Sequence, residues 1–216
     1  MSGINSVTDY YETRYTFDSG RTRVWKAIAE YLQQFVREDT DCVLDLGAGY
    51  CDFINNINAR EKIAVDMNPA GKRFCRDDVK FHCASVNQLA VLPPESVDVL
   101  FASNLLEHLD DHELSGAIKE FARILRQGAR VILMQPNYRY AYREYFDDYT
   151  HKKVFTHISL RDFFEANGYK AIKVCPKFLP FSLKSRLPKS YFLTKLYLHS
   201  FYKPMAKQML LVFRKD

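Results

Sequence analysis

Short apolar segments alternate along the chain with segments long enough to form a helix. Two neighbouring parallel strands need a crossover of about a dozen residues or more, so this alternation is typical of parallel β-α-β units. It predicts an α/β protein with an open, doubly wound sheet and helices on both faces. Strands are expected at CVLDLG, KIAVD, VKFHCAS, SVDVLFAS, ARVILMQPN, YKAIKVC and QMLLVFRK.

Three other segments carry apolar residues at helical spacing. Arg21 to Arg37 is expected to be an amphipathic helix, and so is Asp110 to Gln127, which an aspartate can cap and Gly128 can end. A third helix is expected within SLRDFFEANG, and FINNI is expected to begin a helix after the first strand. The last two strands lack an obvious crossover helix, so we expect an antiparallel pair at one edge of the sheet.

The composition is that of an ordinary globular protein, and 216 residues suit a single domain over 1–216. The amino-terminal residues do not resemble a secretory signal, and no run of about 18 apolar residues is present that could span a membrane. The five cysteines include no C-x-x-C pair, which argues against a disulfide framework and a zinc site. We therefore expect a cytoplasmic protein without a structural metal.

Charge is distributed unevenly. Residues 176–216 carry a net charge of +8, whereas the rest of the chain carries −3. Within this region, 176–207 mixes Phe, Leu and Tyr with Lys and Arg, and it forms an insertion before the last strand. Two hypotheses remain open: an amphipathic element that contacts an anionic lipid surface or a lipid-linked glycan, or a cover that closes a substrate site. No recognised nucleic-acid-binding module accompanies the basic residues, so no nucleic acid is expected as a partner.

The first expected strand runs into a glycine turn in VLDLGAGYCDF, Val43 to Phe53. Small residues there permit a ligand to approach the backbone closely. The dinucleotide pattern G-x-G-x-x-G fails, because Asp52 stands at its last position. Asp45, two residues before Gly47, would repel a pyrophosphate but suits a ligand with a positive charge. The turn thus favours an amino-acid-bearing sulfonium cofactor over NAD.

A second carboxylate supports this interpretation. Asp66 lies 21 residues after Asp45 and ends the second expected strand. At that place a carboxylate can accept hydrogen bonds from both hydroxyls of a ribose. The neighbouring Met67 offers a polarizable surface to an adenine ring.

Five segments in order, VLDLGAGYCDF, AVDMNP, ASVNQL, SVDVLFASNLLEHL and RILRQGARVILMQPN, resemble the motifs of class I S-adenosylmethionine-dependent methyltransferases. The resemblance extends from about Val43 to Gly168. It implies a Rossmann-like sheet with the order 3-2-1-4-5-7-6, an antiparallel last strand and S-adenosylmethionine across the tips of strands one to four. The resemblance implies that Asp45, Gly47, Ala48 and Gly49 contact the methionine part of the cofactor and that Asp66 contacts the ribose. It also implies that Met67, Ser85 and Val86 contact the adenine, and that Asn104 and Leu105 flank the methionine tail. The sequence departs from the family at Cys51, where a third glycine is usual, and at Ser85, where an acid is usual.

Methyl transfer to a hydroxyl needs a base that is active near neutral pH, and histidine is the natural candidate. His108 follows the fourth strand, and His151 lies in the long segment 138–158, where this family typically builds its acceptor pocket. Asp147 or Asp148 could orient the His151 imidazole. The passage H-x-x-x-F-T-x-x-S-L resembles methyltransferases of sugar, polysaccharide, quinone and secondary-metabolite pathways. His108 and His151 are therefore the predicted catalytic residues.

The amino-terminal region 1–37 contains the aromatic stretch YYETRYTF, which in this family often folds over the cofactor. Tyr15 or Arg14 could then reach the cofactor's carboxylate. The function expected from these features is methylation, at oxygen, of a small-molecule or glycan-like acceptor. The alternatives are N- or C-methylation of a quinone-like metabolite, and a non-catalytic binding module with a methyltransferase fold.

Overall fold

A single seven-stranded sheet organises the computed structural model, which describes residues 19–180 and 189–216. The strand order is β3-β2-β1-β4-β5-β7-β6, as the resemblance implied. The strands are β1 (Cys42–Leu46), β2 (Glu61–Asp66), β3 (Val79–Cys83), β4 (Val97–Ser103), β5 (Leu125–Pro136), β6 (Tyr169–Pro180) and β7 (Ala206–Lys215).

Strands β1 to β5 pair in parallel, whereas β7 runs antiparallel to both β5 and β6. The predicted antiparallel edge is therefore confirmed. The register pairs Leu46 with Val65, so Asp66 extends one residue beyond the last pair of β1 and β2. This offset brings the Asp66 carboxylate to the turn that follows β1.

The helices are α1 (Ser19–Leu32), α2 (Asp111–Ile124), α3 (Tyr138–Ala141), α4 (His157–Glu165) and α5 (Tyr191–His199). Single 3-10 turns follow α1 at Gln33–Phe35, β2 at Pro69–Phe74 and β4 at Leu106–His108, and another lies at Tyr145–Asp147. Two capping boxes fix helix starts: Asp110 with Glu113 begins α2, and Thr156 with Ser159 begins α4.

The hydrophobic core is divided by the sheet. On one face α2 and α4 bury Phe121 and Phe164 against the strands, and on the other face α1 buries Ile28 and Leu32. Each helix presents one apolar stripe, which explains the helical spacing in the sequence. The central strand β1 is buried along its whole length, as expected for a parallel sheet covered on both faces.

Two predicted boundaries were wrong. Helix α2 ends at Ile124 because Leu125 already pairs with Val97 of β4, and Gly128 (φ +74°) lies in the bulge that follows rather than at a helix end. The segment FINNI forms turns and not a helix. The Asn55 side chain donates to the distant Phe74 carbonyl, which ties the segment to the 3-10 turn after β2, and the Asn56 side chain donates to the nearby Asp52 carbonyl. A local bond of the second kind competes with helix formation.

Helix α5 lies in the 176–207 insertion, where the sequence showed no obvious helix. It packs on α1 through the buried Leu198, while Tyr191 and Lys195 both bond the Glu30 carboxylate. β6 reaches Pro180, so the first part of the insertion belongs to the sheet. In the ranges 19–180 and 189–216 no helix is long and apolar enough to cross a bilayer.

Candidate cofactor and acceptor site

The glycine turn after β1 is tied to the end of β2. The backbone N–H groups of Gly47 and Ala48 donate to the Val65 carbonyl at 2.8 and 3.1 Å. Gly47 has a φ of +73°, and a Cβ at this position would stand 3.0 Å from Cδ1 of Leu105. Gly49 has a φ of +51°, and apart from its chain neighbours no heavy atom of the described residues lies within 4 Å of where its Cβ would stand. Gly47 thus permits close packing, whereas Gly49 leaves open space at the turn.

The Asp66 carboxylate holds this turn in place. Its Oδ2 accepts from the Gly49 N–H at 2.8 Å, and its Oδ1 accepts from the Asn68 N–H at 2.8 Å. A carboxylate has about four acceptor sites, and these two bonds occupy one site on each oxygen. Asp66 can therefore organise the turn and bind a hydroxyl-bearing ligand at the same time.

Asp45 is the second acid of the site. Its side chain is buried, and burial raises the pKa of this carboxyl well above its ordinary range. A hydrogen bond from the Ile54 backbone N–H opposes the increase in pKa, while the nearby Asp66 carboxylate adds to it. A positively charged ligand group would stabilise the ionised form of Asp45.

The remaining predicted cofactor residues lie around the turn in different environments. Met67 is 53% exposed and Asn104 is exposed with a φ of +49°, whereas the Val86 side chain is buried in the core. The Ser85 hydroxyl donates to Asn87 Oδ1 at 2.7 Å, and Asn104 Oδ1 accepts from Gln208 Nε2 at 3.0 Å. Tyr15 and Arg14 lie outside the described residues.

Cys51 occupies the place of the family's third glycine, and it adopts a φ of +56° with a buried side chain. Its Sγ lies 2.6 Å from the Sγ of Cys75. The backbone thus takes the left-handed conformation that glycine would favour. No sequence pattern predicts the Cys51–Cys75 contact, because 24 residues separate the two thiols.

The two predicted catalytic histidines meet. Their ring centroids are 4.9 Å apart, although 43 positions separate them in the sequence. The backbone N–H groups of Lys152 and Lys153 donate to the Glu107 carbonyl at 2.8 and 3.0 Å, which joins the segment around His151 to the 3-10 turn that contains His108.

Each imidazole is oriented through its Nδ1. The Thr150 hydroxyl donates to Asp148 Oδ1 at 2.6 Å, so it accepts from His108 Nδ1 at 2.9 Å. His151 Nδ1 donates to the Tyr145 carbonyl at 2.5 Å. Both Nδ1 atoms therefore carry the proton, and each Nε2 is the basic nitrogen. Burial and the neighbouring His151 lower the pKa of His108 to about 4, so this ring is neutral at pH 7.

Glu107 is a residue of this cluster that sequence reasoning missed as a site residue. Its side chain is fully buried, and neither carboxylate oxygen has a hydrogen-bond partner among the described residues. Burial raises the pKa of Glu107 to about 8. Its ligand atom and those of His108 and His151 all lie within 4.8 Å of one another. The adjacency of Glu107 and His108 in NLLEHL was the available signal.

Comparison with known proteins gives the family context. Residues 44–133 match a family model described as a methyltransferase domain. No curated protein matches the chain. Among solved structures, a SAM-dependent methyltransferase from Archaeoglobus fulgidus is 18% identical with a TM-score of 0.68, and the match covers 97% of this chain and 100% of the other.

A second neighbour is a SAM-dependent methyltransferase from Thermotoga maritima, described as a "possible histamine N-methyltransferase". It is 17% identical with a TM-score of 0.71, over 97% of this chain and 96% of the other. Residues 44–133 thus match a methyltransferase domain, and the chain has the fold of S-adenosylmethionine-dependent methyltransferases. A third neighbour of this domain, the [4+2]-cyclase SpnF, is 16% identical with a TM-score of 0.64, over 88% of this chain and 81% of the other.

S-adenosylmethionine is the cofactor of such a domain, and the described residues fit it. Nothing among the described residues fills the Cβ position of Gly49, which admits a ligand against the backbone, and the Asp66 carboxylate bonds the same turn. Asp45 supplies a buried carboxylate for a positively charged group. The three features lie at the carboxyl ends of β1 and β2, where ligands bind in open α/β sheets.

Proposed function

We propose that the chain transfers a methyl group from S-adenosylmethionine to a hydroxyl oxygen of a small-molecule or glycan-like acceptor. The observation that carries this proposal is the contact between His108 and His151, at 4.9 Å between ring centroids. Two loops bring these imidazoles together beyond β4 and β5, next to the Asn104–Leu105 position that is implied to flank the methionine tail. A hydroxyl acceptor needs such a base, whereas many nitrogen acceptors do not.

The cofactor supplies an activated methyl group, so the main task of the protein is to align the two reactants. In this proposal Asp66 accepts from the ribose hydroxyls, and Asp45 faces the positively charged end of the methionine part. Gly47, Ala48 and Gly49 let the ligand approach the backbone. Met67, with Ser85 and the backbone of Val86, borders the adenine, while Asn104 and Leu105 border the methionine tail.

His151 is the proposed general base. The Tyr145 carbonyl fixes the proton on Nδ1 and leaves Nε2 to accept a proton from the acceptor hydroxyl. His108 is a weaker candidate because its pKa of about 4 makes it a poor proton acceptor near neutral pH. We propose that His108 instead positions the reacting groups beside His151.

The segment 138–158 is the proposed wall of the acceptor site. Its aromatic rings include the exposed side chains of Tyr142, Phe146 and Tyr149. The buried Tyr145 anchors the segment by donating from its hydroxyl to the Lys153 carbonyl at 2.6 Å. Flat rings with polar edges suit the faces of a sugar or an aromatic acceptor.

The test is incorporation of label. The protein is incubated with S-adenosylmethionine that carries an isotopic methyl group, together with an extract of its source cells, and the labelled product is identified by mass spectrometry. We expect an O-methylated product. His151→Gln should lower kcat by about 100-fold or more while leaving the cofactor Kd unchanged, because it removes only the base. His112→Gln, an exposed histidine on α2, is the matched control.

The same experiment separates the alternatives. A labelled nitrogen or carbon in a quinone-like product would support N- or C-methylation and would contradict an oxygen acceptor. Cofactor binding without any labelled product in the extract would favour the non-catalytic module. A similar fold occurs in the [4+2]-cyclase SpnF.

For the 176–207 insertion we propose contact with an anionic membrane surface at the cytoplasmic side. Leu198 of α5 faces the core, while Phe192, Leu193 and Leu196 are exposed, as are Phe201 and Tyr202 beyond the helix. A cover over the acceptor site would bury such side chains, so their exposure favours the membrane hypothesis. Phe192→Ser with Leu196→Ser should abolish co-sedimentation with phosphatidylserine vesicles, and Ile172→Ser on β6 should not. Absence of pelleting by the unaltered protein at low salt would favour the cover.

A further inference from the structure

We propose that Glu107, His108 and His151 bind one divalent transition-metal ion of the zinc class. Two imidazoles and one carboxylate are a ligand set that proteins use for Zn²⁺ and neighbouring first-row metals. The three residues come from two loops, and their ligand atoms lie within 4.8 Å of one another. The cluster is separate from the glycine turn that follows β1, Gly47 to Gly49, which we call the cofactor turn. No residue of the cofactor turn belongs to the cluster.

The distances are close to those that coordination requires. Metal–ligand bonds of about 2.0–2.2 Å place the ligand atoms of a tetrahedral site about 3.4 Å apart. In the structure no two of the three ligand atoms are more than 4.8 Å apart. Coordination would therefore bring any two of them closer by about 1.4 Å or less. Glu107, His108 and His151 each have rotatable side-chain torsions through which such an approach would occur.

The buried carboxylate provides an independent argument. Glu107 is 0% exposed, and neither of its oxygens has a hydrogen-bond partner among the described residues. Nearly all buried polar groups in proteins have a partner, because leaving one unpaired destabilises the fold. A cation beside the two imidazoles would provide the partner that the described residues do not.

The surroundings of the imidazoles are those of metal ligands. Histidines that coordinate a metal through one nitrogen usually donate from the other to a carbonyl or carboxylate, which fixes the ring and its tautomer. His151 Nδ1 donates to the Tyr145 carbonyl, and His108 Nδ1 is linked through Thr150 to the Asp148 carboxylate. Both arrangements present Nε2 as the coordinating atom.

The segment that carries His151 is also held firmly against Glu107. Two backbone N–H groups, of Lys152 and Lys153, donate to the Glu107 carbonyl, and the Lys153 carbonyl accepts from Tyr145. These bonds fix the two loops at the distance at which their side chains meet. A metal site needs this kind of rigid support for its ligands.

The consequence for catalysis rests on the proposed function. A bound metal ion polarises a hydroxyl that coordinates it and lowers the pKa of that hydroxyl. With an ion bound, Nε2 of His151 would be a ligand and could not also accept a proton, so the ion would replace His151 as the group that activates the acceptor hydroxyl, whose proton would pass to solvent. Metal binding itself requires neither the cofactor nor the acceptor, so it can be measured separately.

The experiment uses the full chain without an affinity tag. After removal of metals with a chelator, the protein is dialysed against Zn²⁺, and bound zinc is measured by elemental analysis. We expect one ion per chain. His108→Ala, His151→Ala and Glu107→Gln should each weaken binding by about 100-fold or more, and His112→Ala should bind as the unaltered protein does. Thermal unfolding of each variant checks that it is folded.

A measurement on the unaltered protein covers the case in which a variant fails to fold. Addition of one equivalent of Zn²⁺ should shift the imidazole ¹⁵N resonances of two of the six histidines, those of His108 and His151. Absence of bound zinc, or shifts confined to other histidines, would overturn the proposal. Full methyl transfer by metal-free protein would overturn only the catalytic consequence, and zinc binding without methyl transfer would overturn only the proposed function.

Discussion

The cofactor turn and the histidine cluster lie at the same edge of the sheet, but they are constructed differently. The turn is held through its own backbone N–H groups: that of Gly47 donates to the Val65 carbonyl, and that of Gly49 donates to the Asp66 carboxylate. The cluster of Glu107, His108 and His151 is formed by side chains of two loops, with one buried acid that lacks a partner among the described residues. The cofactor turn should therefore tolerate substitution of most side chains other than Asp66. The histidine cluster should not, because three side chains form it.

This contrast also explains what the sequence could predict. The sheet order and the turn follow from local patterns, because each strand and each glycine acts within its own segment. The meeting of His108 and His151 depends on hydrogen bonds between Glu107 and residues more than 40 positions away. Periodicity in the sequence predicts local structure and not such long-range contacts. His108 and His151 are therefore predicted as separate catalytic candidates, and Glu107 is not predicted as a site residue.

Helix α5 shows a second limit of sequence reasoning. Its apolar residues do not fall on one stripe, because Leu198 packs inward while Phe192 and Leu196 remain exposed. The helix is fixed by tertiary contacts, through Tyr191 and Lys195 to Glu30 of α1. An element of this kind is not recognisable from a helical period.

The largest expected effect tests whether the cofactor turn requires a residue without a side chain at Gly47. Gly47→Ala should lower the free energy of unfolding by about 2–4 kcal/mol, since a Cβ at φ +73° is strained and would stand 3.0 Å from Leu105. Gly128→Ala is the matched control: it has a φ of +74° but open space around its Cβ position, so only backbone strain of about 1–2 kcal/mol applies. Denaturant unfolding measures both. Equal losses would show that packing against Leu105 contributes nothing.

An intermediate effect on stability is expected at the end of β5, where the proposed acceptor wall 138–158 begins. The buried Asn137 donates from Nδ2 to the Pro176 carbonyl and contacts His157 Nδ1, both at 3.0 Å. Asn137→Ala should lower the free energy of unfolding by about 1–3 kcal/mol, because it leaves buried polar groups unpaired. Asn167→Ala, which removes a single exposed bond to Phe163, is the control and should cost less than about 1 kcal/mol. A cofactor Kd unchanged by Asn137→Ala would show that the region around Asn137 contributes to stability without affecting the cofactor turn.

The smallest expected effect is a dependence of cofactor binding on pH. Burial raises the pKa of Asp45, so part of its population is protonated in the free protein, whereas a positively charged ligand favours the carboxylate. Affinity should therefore rise with pH up to the raised pKa, by about tenfold per unit at most, and binding should release protons. Calorimetry in two buffers of different ionisation enthalpy measures the release. Asp45→Asn should abolish it, and persistence in that variant would assign the protons to another group.

The central claim is that the glycine turn and the Asp66 carboxylate together bind S-adenosylmethionine. Calorimetric titration of the unaltered protein and of Asp66→Asn tests it most directly, with Asp77→Asn, an exposed acid before β3, as the control. The account predicts saturable binding by the unaltered protein and the control, and a loss of about 2 kcal/mol or more in Asp66→Asn. Equal affinity in all three proteins, or no binding by any of them, would contradict it.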